Sequence, residues 1–568
     1  MFQTPGFRLQ DMWSYGYGPN RIARDTAHRQ SRGKKVTITV KMPLPQASQE
    51  PRVSASAAQG RVKNEDIPGL PYVAALALVK TLLLLCYAGG FGYMSDELYF
   101  LACAAHPAWG YADLPPLLPW LTWSVTHTLG SSLWSIRLYP ALAAGATVIF
   151  TAWLTSELGG GKRAVILASV LAFIDPVSFG FGHILSTNAL DLPLWLICLL
   201  LLVKIEKGAS PKLWIWWGVT AGMALMHKYT LAFLLAALAA GILLTSWRRW
   251  FANRWFWIGI TVLLLIVLPN VLWQARHDFP FLQLQHAFKI NHHNVILPPL
   301  EFLRAQVILQ NPLVFVVAIC GLVFLFLRPM RPFRALAWTF AAFLLLMFAL
   351  HARDYYLAAA YPPMFAAGAV ALESWFPGRW GRHAVNAYVF VAAALVTVSL
   401  PAILPILSPA ATEAFCKRQM FMKRAEPENL PHGAMPSWVA DQFGWREPVE
   451  MVAKYYNSLP AEQRARTAIL GNFYGQAGAV DHFGPELGLP KAIGGHHSYW
   501  LWGPRGYTGE SVIFMDPWPR MLSHCASVTL VGEPDIPFAR PDEHPAIYHC
   551  RGLDFNLSRD WNAFRHYD

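Results

Sequence analysis

With 568 residues, 55% of them hydrophobic and only 14% charged, and a mean hydropathy of +0.32, the chain carries far more apolar surface than one soluble core can bury. That excludes an ordinary soluble globular protein and reads as a polytopic α-helical membrane protein. The formal charge of +12 does not mark a nucleic-acid partner, because the basic residues are spread over short loops and one terminal tail rather than gathered on a face.

Residues 1–66 are rich in Arg, Lys, Gln, Ser and Pro without hydrophobic periodicity, so a disordered basic tail is expected. They also lack the short apolar core and small-residue cleavage site of a secretory signal, so the first membrane helix is expected to be retained. Apolar segments then recur at 70–91, 133–154, 164–181, 190–203, 213–226, 231–247, 255–273, 307–327, 335–350, 355–372 and 384–407, about eleven transmembrane helices in all. If the tail is cytoplasmic, every even-numbered connection is basic: Lys162 and Arg163; Lys204, Lys207 and Lys212; Arg248, Arg249 and Arg254; Arg328, Arg331 and Arg334; Arg379 and Arg382. The opposite-side connections 93–136 and 182–189 contain no Lys or Arg. The positive-inside rule therefore puts the N-terminus in the cytoplasm, and an odd number of spans puts the C-terminal domain outside. Three domains are expected: the tail 1–66, a membrane domain 67–407 and an extracytoplasmic domain 408–568.

The first outer loop is apolar and rich in Trp and Pro, as expected of interfacial helices with Trp109, Trp120 and Trp123 at headgroup depth. Its only acids are Asp96, Glu97 and Asp113, with no Lys or Arg in the loop to pair them. A carboxylate at an apolar boundary is costly unless hydrated, paired or hydrogen-bonded, which makes these acids functional candidates. Ser95 or Asp96 also suits the N-cap of a helix, a role compatible with catalysis. Asn188 and Asp191 open the fourth span one helical turn apart and so face the same way, with Thr187 or Asn188 as its N-cap.

Few basic residues break the charge rule on the outer side: Lys228, Arg276, Lys289, Arg304 and Arg353. Snorkelling to lipid headgroups accounts for Arg276 and Arg304. Lys228 and Arg353 lie instead in very short turns, followed by Tyr229 and by Tyr355 and Tyr356. The tyrosines suit either an interfacial aromatic belt or hydrogen bonding to a ligand. His286, His292 and His293 lie in the longest late outer loop, placed to close over a ligand; adjacent His292 and His293 are poorly spaced for chelation on one helix.

Beyond residue 443 the pattern turns polar and alternates: "WREPVEMVAKYYNSL" and "YGQAGAVDHFG" read as helices, "TAILGNF", "SVIFMD", "SVTLVGE" and "AIYHCRG" as strands, a small α/β unit. Gly471, Gly475 and Gly478 do not have the spacing of a dinucleotide loop and read as a tight strand-to-helix turn. "GGHHSYWLWGP" suits stacking on a sugar or docking against the membrane domain. Cys525 and Cys550 share this expected oxidising side, and whether they pair is left open by the sequence, with Cys416 odd in either case.

The stretches "SDELYFLACAAHPAWGYADLPPLLPWL", "GHILSTNALDLPLWLICL", "GMALMHKYTLAFL" and "RDYYLAAAYPPMFAAGA" resemble, in order and on one side of the membrane, the motifs of bacterial family 39 glycosyltransferases. These GT-C superfamily enzymes are related to protein O-mannosyltransferases and the lipid A aminoarabinose transferase. The resemblance implies a GT-C transmembrane domain in the bacterial inner membrane with a periplasmic C-terminal domain. It also implies inverting transfer of a sugar from a polyprenyl-phosphate donor to a lipid, glycan or protein acceptor. The family's catalytic aspartate carries over to Asp96, with Glu97 beside it, and the acid of the later loop motif to Asp113. Where the aminoarabinose enzyme has Glu-Lys-Pro this chain has Asp113, Leu114 and Pro115, so another cation must replace the phosphate-facing lysine.

On this scheme Asp96 is the base, and Glu97 and Asp113 orient it or bind sugar hydroxyls. Lys228 and Arg353 stabilise the departing phosphate, helped by Tyr229, Tyr355 and Tyr356. Asn188, Asp191, His286, His292 and His293 are the candidate substrate-binding residues. No cofactor is required and a divalent metal is left open; no P-loop is present, and the donor already carries its energy. The rival readings are a transporter of lipid-linked sugar, whose ionisable groups would sit at the bilayer centre, and a non-catalytic glycan-binding scaffold.

Overall fold

A computed structural model describes residues 67–418, 428–429, 433–541 and 545–567. The expected disordered tail lies outside the described residues. Each apolar segment is helical. α1 (Leu70–Cys86) starts behind Gly69, whose φ of 78° suits a residue without Cβ, and leads to the first outer loop. That loop carries α2 (Ser95–Ala104), α3 (Leu117–Leu129) and α4 (Leu133–Ile136), the last running into α5 (Leu138–Glu157).

α6 (Lys162–Ile174) and α7 (Pro176–His183) are one apolar segment bent by 56° at Asp175, where Pro176 supplies no backbone N–H. α8 (Asp191–Glu206), α9 (Leu213–His227), α10 (Leu231–Leu243) and α11 (Arg254–Arg276) follow. The late outer loop holds α12 (Pro280–Ile290) and α13 (Pro299–Leu309). The expected span at 307–327 is broken: α13 meets α14 (Pro312–Phe326) at 109°, because Asn311 takes a φ of 66° and Pro312 restarts the helix. α15 (Arg334–Ala349), a 3-10 turn at Asp354–Ala360, α16 (Tyr361–Trp375) and α17 (Arg379–Ser399) complete the bundle.

Among the described residues, five helices are individually long and apolar enough to cross a membrane, and three bent pairs add to them. Their packing is that of a protein solvated by lipid. Leu264 and Leu265 on α11 are 59% and 61% exposed, and Phe390 on α17 is 74% exposed, while α16 is enclosed along most of its length. Helices cross where both lack side chains: a methyl group on Gly218 of α9 would strike the Gly259 carbonyl of α11.

The C-terminal region contributes α18 (Pro409–Arg418), α19 (Ser437–Ala440), α20 (Arg446–Ser458), α21 (Ala461–Arg466), β1 (Thr467–Gly471), α22 (Tyr474–Phe483) and α23 (Ser498–Trp502). β2 (Ser511–Met515), β3 (Cys525–Gly532) and β4 (Ile547–Leu553) complete a small sheet of order β1-β2-β4-β3. β1 runs parallel to β2 and the other pairs are antiparallel; Cys525 and Cys550 form a disulfide between β3 and β4. The helices and strands expected beyond residue 443 are all present.

This region is not set apart from the membrane domain as the division at 407/408 anticipates. Asp66–Asp568 forms one compact unit. Leu98, Tyr99, Cys103, Leu114 and Leu118 of the first outer loop share a hydrophobic core with Val449, Val452, Ile469, Val480 and Ile513. α22 lies directly on α2, since a Cβ on Gly478 would meet the Leu98 backbone. The glycine spacing after β1 thus serves close helix packing. The loop of Gly494 to Trp502 docks on the membrane domain: Ser498 Oγ accepts from Ala112 N at 3.0 Å, and Trp502 stacks on His106 at 4.1 Å.

Candidate active site

α2 begins at Ser95, with Met94 rather than Ser95 or Asp96 as its N-cap. Glu97 reaches back to accept from Met94 N at 3.0 Å, which satisfies one of the otherwise open N–H groups of the first turn. Its other bonds correct the expectation of an unpaired acid. Arg137, one residue past the loop that lacks basic residues, donates Nε to Glu97 Oε1 at 2.8 Å and Nη2 to Oε2 at 2.7 Å. Leu185 N donates to Oε1 at 2.8 Å, and Arg137 also ties down the Ala88 and Gly92 carbonyls. Both side chains are fully buried. Glu97 is therefore a clamp joining the end of α1, the start of α2 and the loop before α8, and it leaves Asp96 as the acid of the pair that faces outward.

Asp96 is half-buried, and its Oδ1 accepts from the Tyr474 hydroxyl of α22 at 2.7 Å. Burial pushes its carboxyl above the usual aspartate range, against the pull of the Tyr474 bond. Asp113 is built the same way: its Oδ1 accepts from the Tyr99 hydroxyl at 2.5 Å, and His497 Nδ1 lies 3.9 Å from Oδ2. Burial raises Asp113 to about 7, with the neighbouring charge of Asp96 adding to the shift. The Tyr99 and Tyr474 rings pack at 4.8 Å, so the two Tyr-Asp pairs stand side by side.

The cations reach this site from other elements. Arg353 acts electrostatically on Asp96; its Nε donates to Asn294 Oδ1 at 2.8 Å, its Nη1 to the Tyr355 hydroxyl at 3.1 Å, and its Nη2 lies 2.9 Å from Glu428. Lys228 stands over the rings of Tyr355 and Tyr356 at 5.6 and 4.9 Å, donates to Asn188 Oδ1 and lies 3.6 Å from Asp191 Oδ2. Asn188 and Asp191 thus face one cation, although α8 starts at Asp191 behind Leu190 and neither Thr187 nor Asn188 is its N-cap. Tyr229 donates to Asn270 Oδ1 at 2.9 Å, and the charge of Asp113 reaches it.

The three loop histidines part company. His293 lies 3.5 Å from Glu428, His292 gives its backbone carbonyl to Asn429, and His286 is exposed on α12. Burial would push the Glu428 carboxyl up, but the His293 bond and the Arg353 charge outweigh it and hold the group at about 2. Among the described residues, no three of His, Cys, Asp and Glu converge to hold a metal.

Sequence reasoning missed Arg137, Tyr99, Tyr474 and Glu428. Arg137 had a signal, as the first cation after a loop devoid of them. Tyr474 had none, because it lies more than 350 residues from the acid it approaches; His497 stood in the conspicuous "GGHHSYWLWGP" stretch, but nothing in the sequence paired it with Asp113.

Residues 113–273 match the family described as dolichyl-phosphate-mannose-protein mannosyltransferase. Over 233 residues the chain is 26% identical to the lipid A galacturonosyltransferase RgtD of Rhizobium johnstonii, covering 39% of this chain; the chain spans about half the length of that relative, 47% of it. In fold it is similar to ArnT of Cupriavidus metallidurans bound to undecaprenyl phosphate, at TM-score 0.57 and 14% identity over 84% of this chain and 97% of that one. The mycobacterial arabinofuranosyltransferase AftD is similar at TM-score 0.50 and 16% identity, over 85% of this chain and 40% of that one. The glycosyltransferase resemblance carried by the sequence motifs is thus found in family, relative and fold, and the helical architecture resembles that of GT-C membrane glycosyltransferases.

Proposed function

We propose that the chain is an inverting glycosyltransferase of the bacterial inner membrane that moves a sugar from a polyprenyl-phosphate donor to an acceptor at the periplasmic face. About eleven spans, an N-terminus in the cytoplasm and a periplasmic C-terminal region complete the topology. The observation that carries this function is the pairing of Asp96 and Asp113 across the packed Tyr474 and Tyr99 rings, with the charge of Arg353 acting on Asp96, in a fold similar to that of an undecaprenyl-phosphate-bound transferase.

Asp96 is the base that takes the acceptor proton; its desolvation makes it more basic than a free carboxylate. Arg353 and Lys228 meet the phosphate as its charge grows, with Tyr355 and Tyr356 fixing both cations, and so replace the lysine missing after Asp113. Asn188 and Asp191 hold Lys228 extended toward the donor. Of the candidate substrate-binding histidines, His293, which shares Glu428 with Arg353, is the one placed to meet the donor. Glu97 holds the scaffold under Asp96.

The test is turnover of purified protein in detergent with undecaprenyl-phosphate-linked sugar and envelope lipid extract. Asp96→Asn is expected to lower the rate by about 10² to 10⁴-fold while undecaprenyl phosphate still binds. Full activity in that variant removes the assignment.

A further inference from the structure

His497 is enclosed, its side chain 7% exposed, and among the described residues neither ring nitrogen has a hydrogen-bond partner. Its backbone takes a φ of 50° and a ψ of −129°, a strained conformation for a residue with a Cβ. The ring packs against Tyr474 at 5.1 Å and His496 at 4.0 Å, which leaves Nδ1 directed at Asp113 Oδ2 across 3.9 Å. That separation is too long for a hydrogen bond. An enclosed imidazole that combines unpartnered nitrogens, strained backbone and a facing carboxylate calls for an explanation, and a ligand group bridging ring and carboxylate supplies one.

The chemistry of the surroundings selects that ligand. Burial holds His497 neutral, with its pKa near 3, so the ring offers one donor and one acceptor, the pattern a hydroxyl complements. A phosphate oxyanion offers acceptors alone and would approach two carboxylates, Asp96 and Asp113. Asp113 faces the His497 ring at 3.9 Å, and the charges of His566 and His293 also reach it, neither a fixed cation. Arg505 turns to the Ala492 carbonyl, Arg565 to the Trp500 ring, and Arg540 acts on Glu428 beside Arg353.

Building on the transfer reaction proposed above, we infer that His497 and Asp113 form the acceptor subsite and that the nucleophile they hold is an alcohol hydroxyl, not a phosphate. The acceptor oxygen bonds to the anomeric carbon and its proton passes to Asp96. The bond from that carbon to the phosphate oxygen breaks, and the electron pair leaves with the polyprenyl phosphate. The product is an O-glycoside.

The experiment compares envelope lipids and glycans, by mass spectrometry, from cells deleted for the gene and from the same cells carrying wild type, Asp96→Asn, His497→Ala or His497→Gln. The sugar added by wild type is expected to survive mild acid that cleaves glycosyl phosphates. His497→Ala should reduce it about tenfold or more, while purified His497→Ala binds undecaprenyl phosphate as wild type does. His497→Gln, which keeps a donor and an acceptor, should restore most of it. Release of the sugar by mild acid, an undiminished product in His497→Ala, or loss of undecaprenyl phosphate binding in that variant overturns the inference. Absence of any added sugar with wild type, or indifference to Asp96→Asn, sinks the transfer reaction itself.

Discussion

Asp96 and Glu97 are adjacent in sequence and opposite in circumstance. A helix turns successive side chains by roughly 100°, so one acid of the pair faces the bundle and the other faces the rim. Inward, Glu97 finds Arg137, and the pair is fully enclosed. Removing one partner of such a pair strands a buried charge: Arg137→Met should cost about 3–5 kcal/mol, read as a large fall in the thermal midpoint of the purified protein. Asp113 makes a prediction of opposite kind. Its folded-state pKa, about 7, lies above the ordinary 3.8, so ionisation opposes folding progressively as pH rises between those values. Asp113→Asn should therefore gain thermal stability relative to wild type from pH 4 to 7 and show a constant gain above that. A flat difference across the range would contradict the burial of this carboxylate. How far these residues were legible follows from distance along the chain. The acids and the isolated cations stand out in sequence because apolar surroundings make them conspicuous, whereas Tyr99 and Tyr474 look like any other aromatic residue until the fold sets them against Asp113 and Asp96, and the conspicuous His497 gains its partner only there.

At the scale of elements, the contact between α2 and α22 sets the proposed base Asp96 against Tyr474. It is close because Gly478 has no side chain to hold the Leu98 backbone away, and Tyr474, one turn earlier on α22, then reaches Asp96. Gly478→Leu should separate the two helices and lower turnover at least as much as loss of the Tyr474 hydroxyl, about tenfold. Membrane insertion and undecaprenyl phosphate binding should persist, because both depend on the bundle. A turnover equal to wild type would show that the contact is dispensable. The helices themselves were readable from hydropathy alone. Their breaks were less so: Pro176 and Pro312 sit within apolar runs, and only the packed structure shows that the chain turns sharply there. The N-caps were also misplaced, because Met94 and Leu190 hold positions that local propensity would give to Ser95 and Asn188.

For the molecule as a whole, the charge asymmetry of the loops predicts the proposed orientation. A phosphatase reporter that works only outside the cytoplasm should be active when fused after Asp568 and inactive after Arg382. The reverse pattern would put the acids on the wrong face for a periplasmic donor. The expected autonomous outer domain is instead part of one unit, for a reason of area. Beside its four-stranded sheet, Val449 and Val452 of α20 and Val480 of α22 present apolar side chains, and Leu98, Leu114 and Leu118 of the loop after α1 join them in one core.

The sequence by itself determined the bundle, its orientation signals, the small α/β unit and the conspicuous acids and cations, since each of these is written in local composition or in spacing along one element. Tertiary structure alone decided which acid is clamped and which faces the rim, that Lys228 and Arg353 converge through Tyr355, and that the outer region contributes side chains to the site. Those outcomes depend on close packing between segments hundreds of residues apart, and hydropathy and propensity carry no record of which surfaces meet.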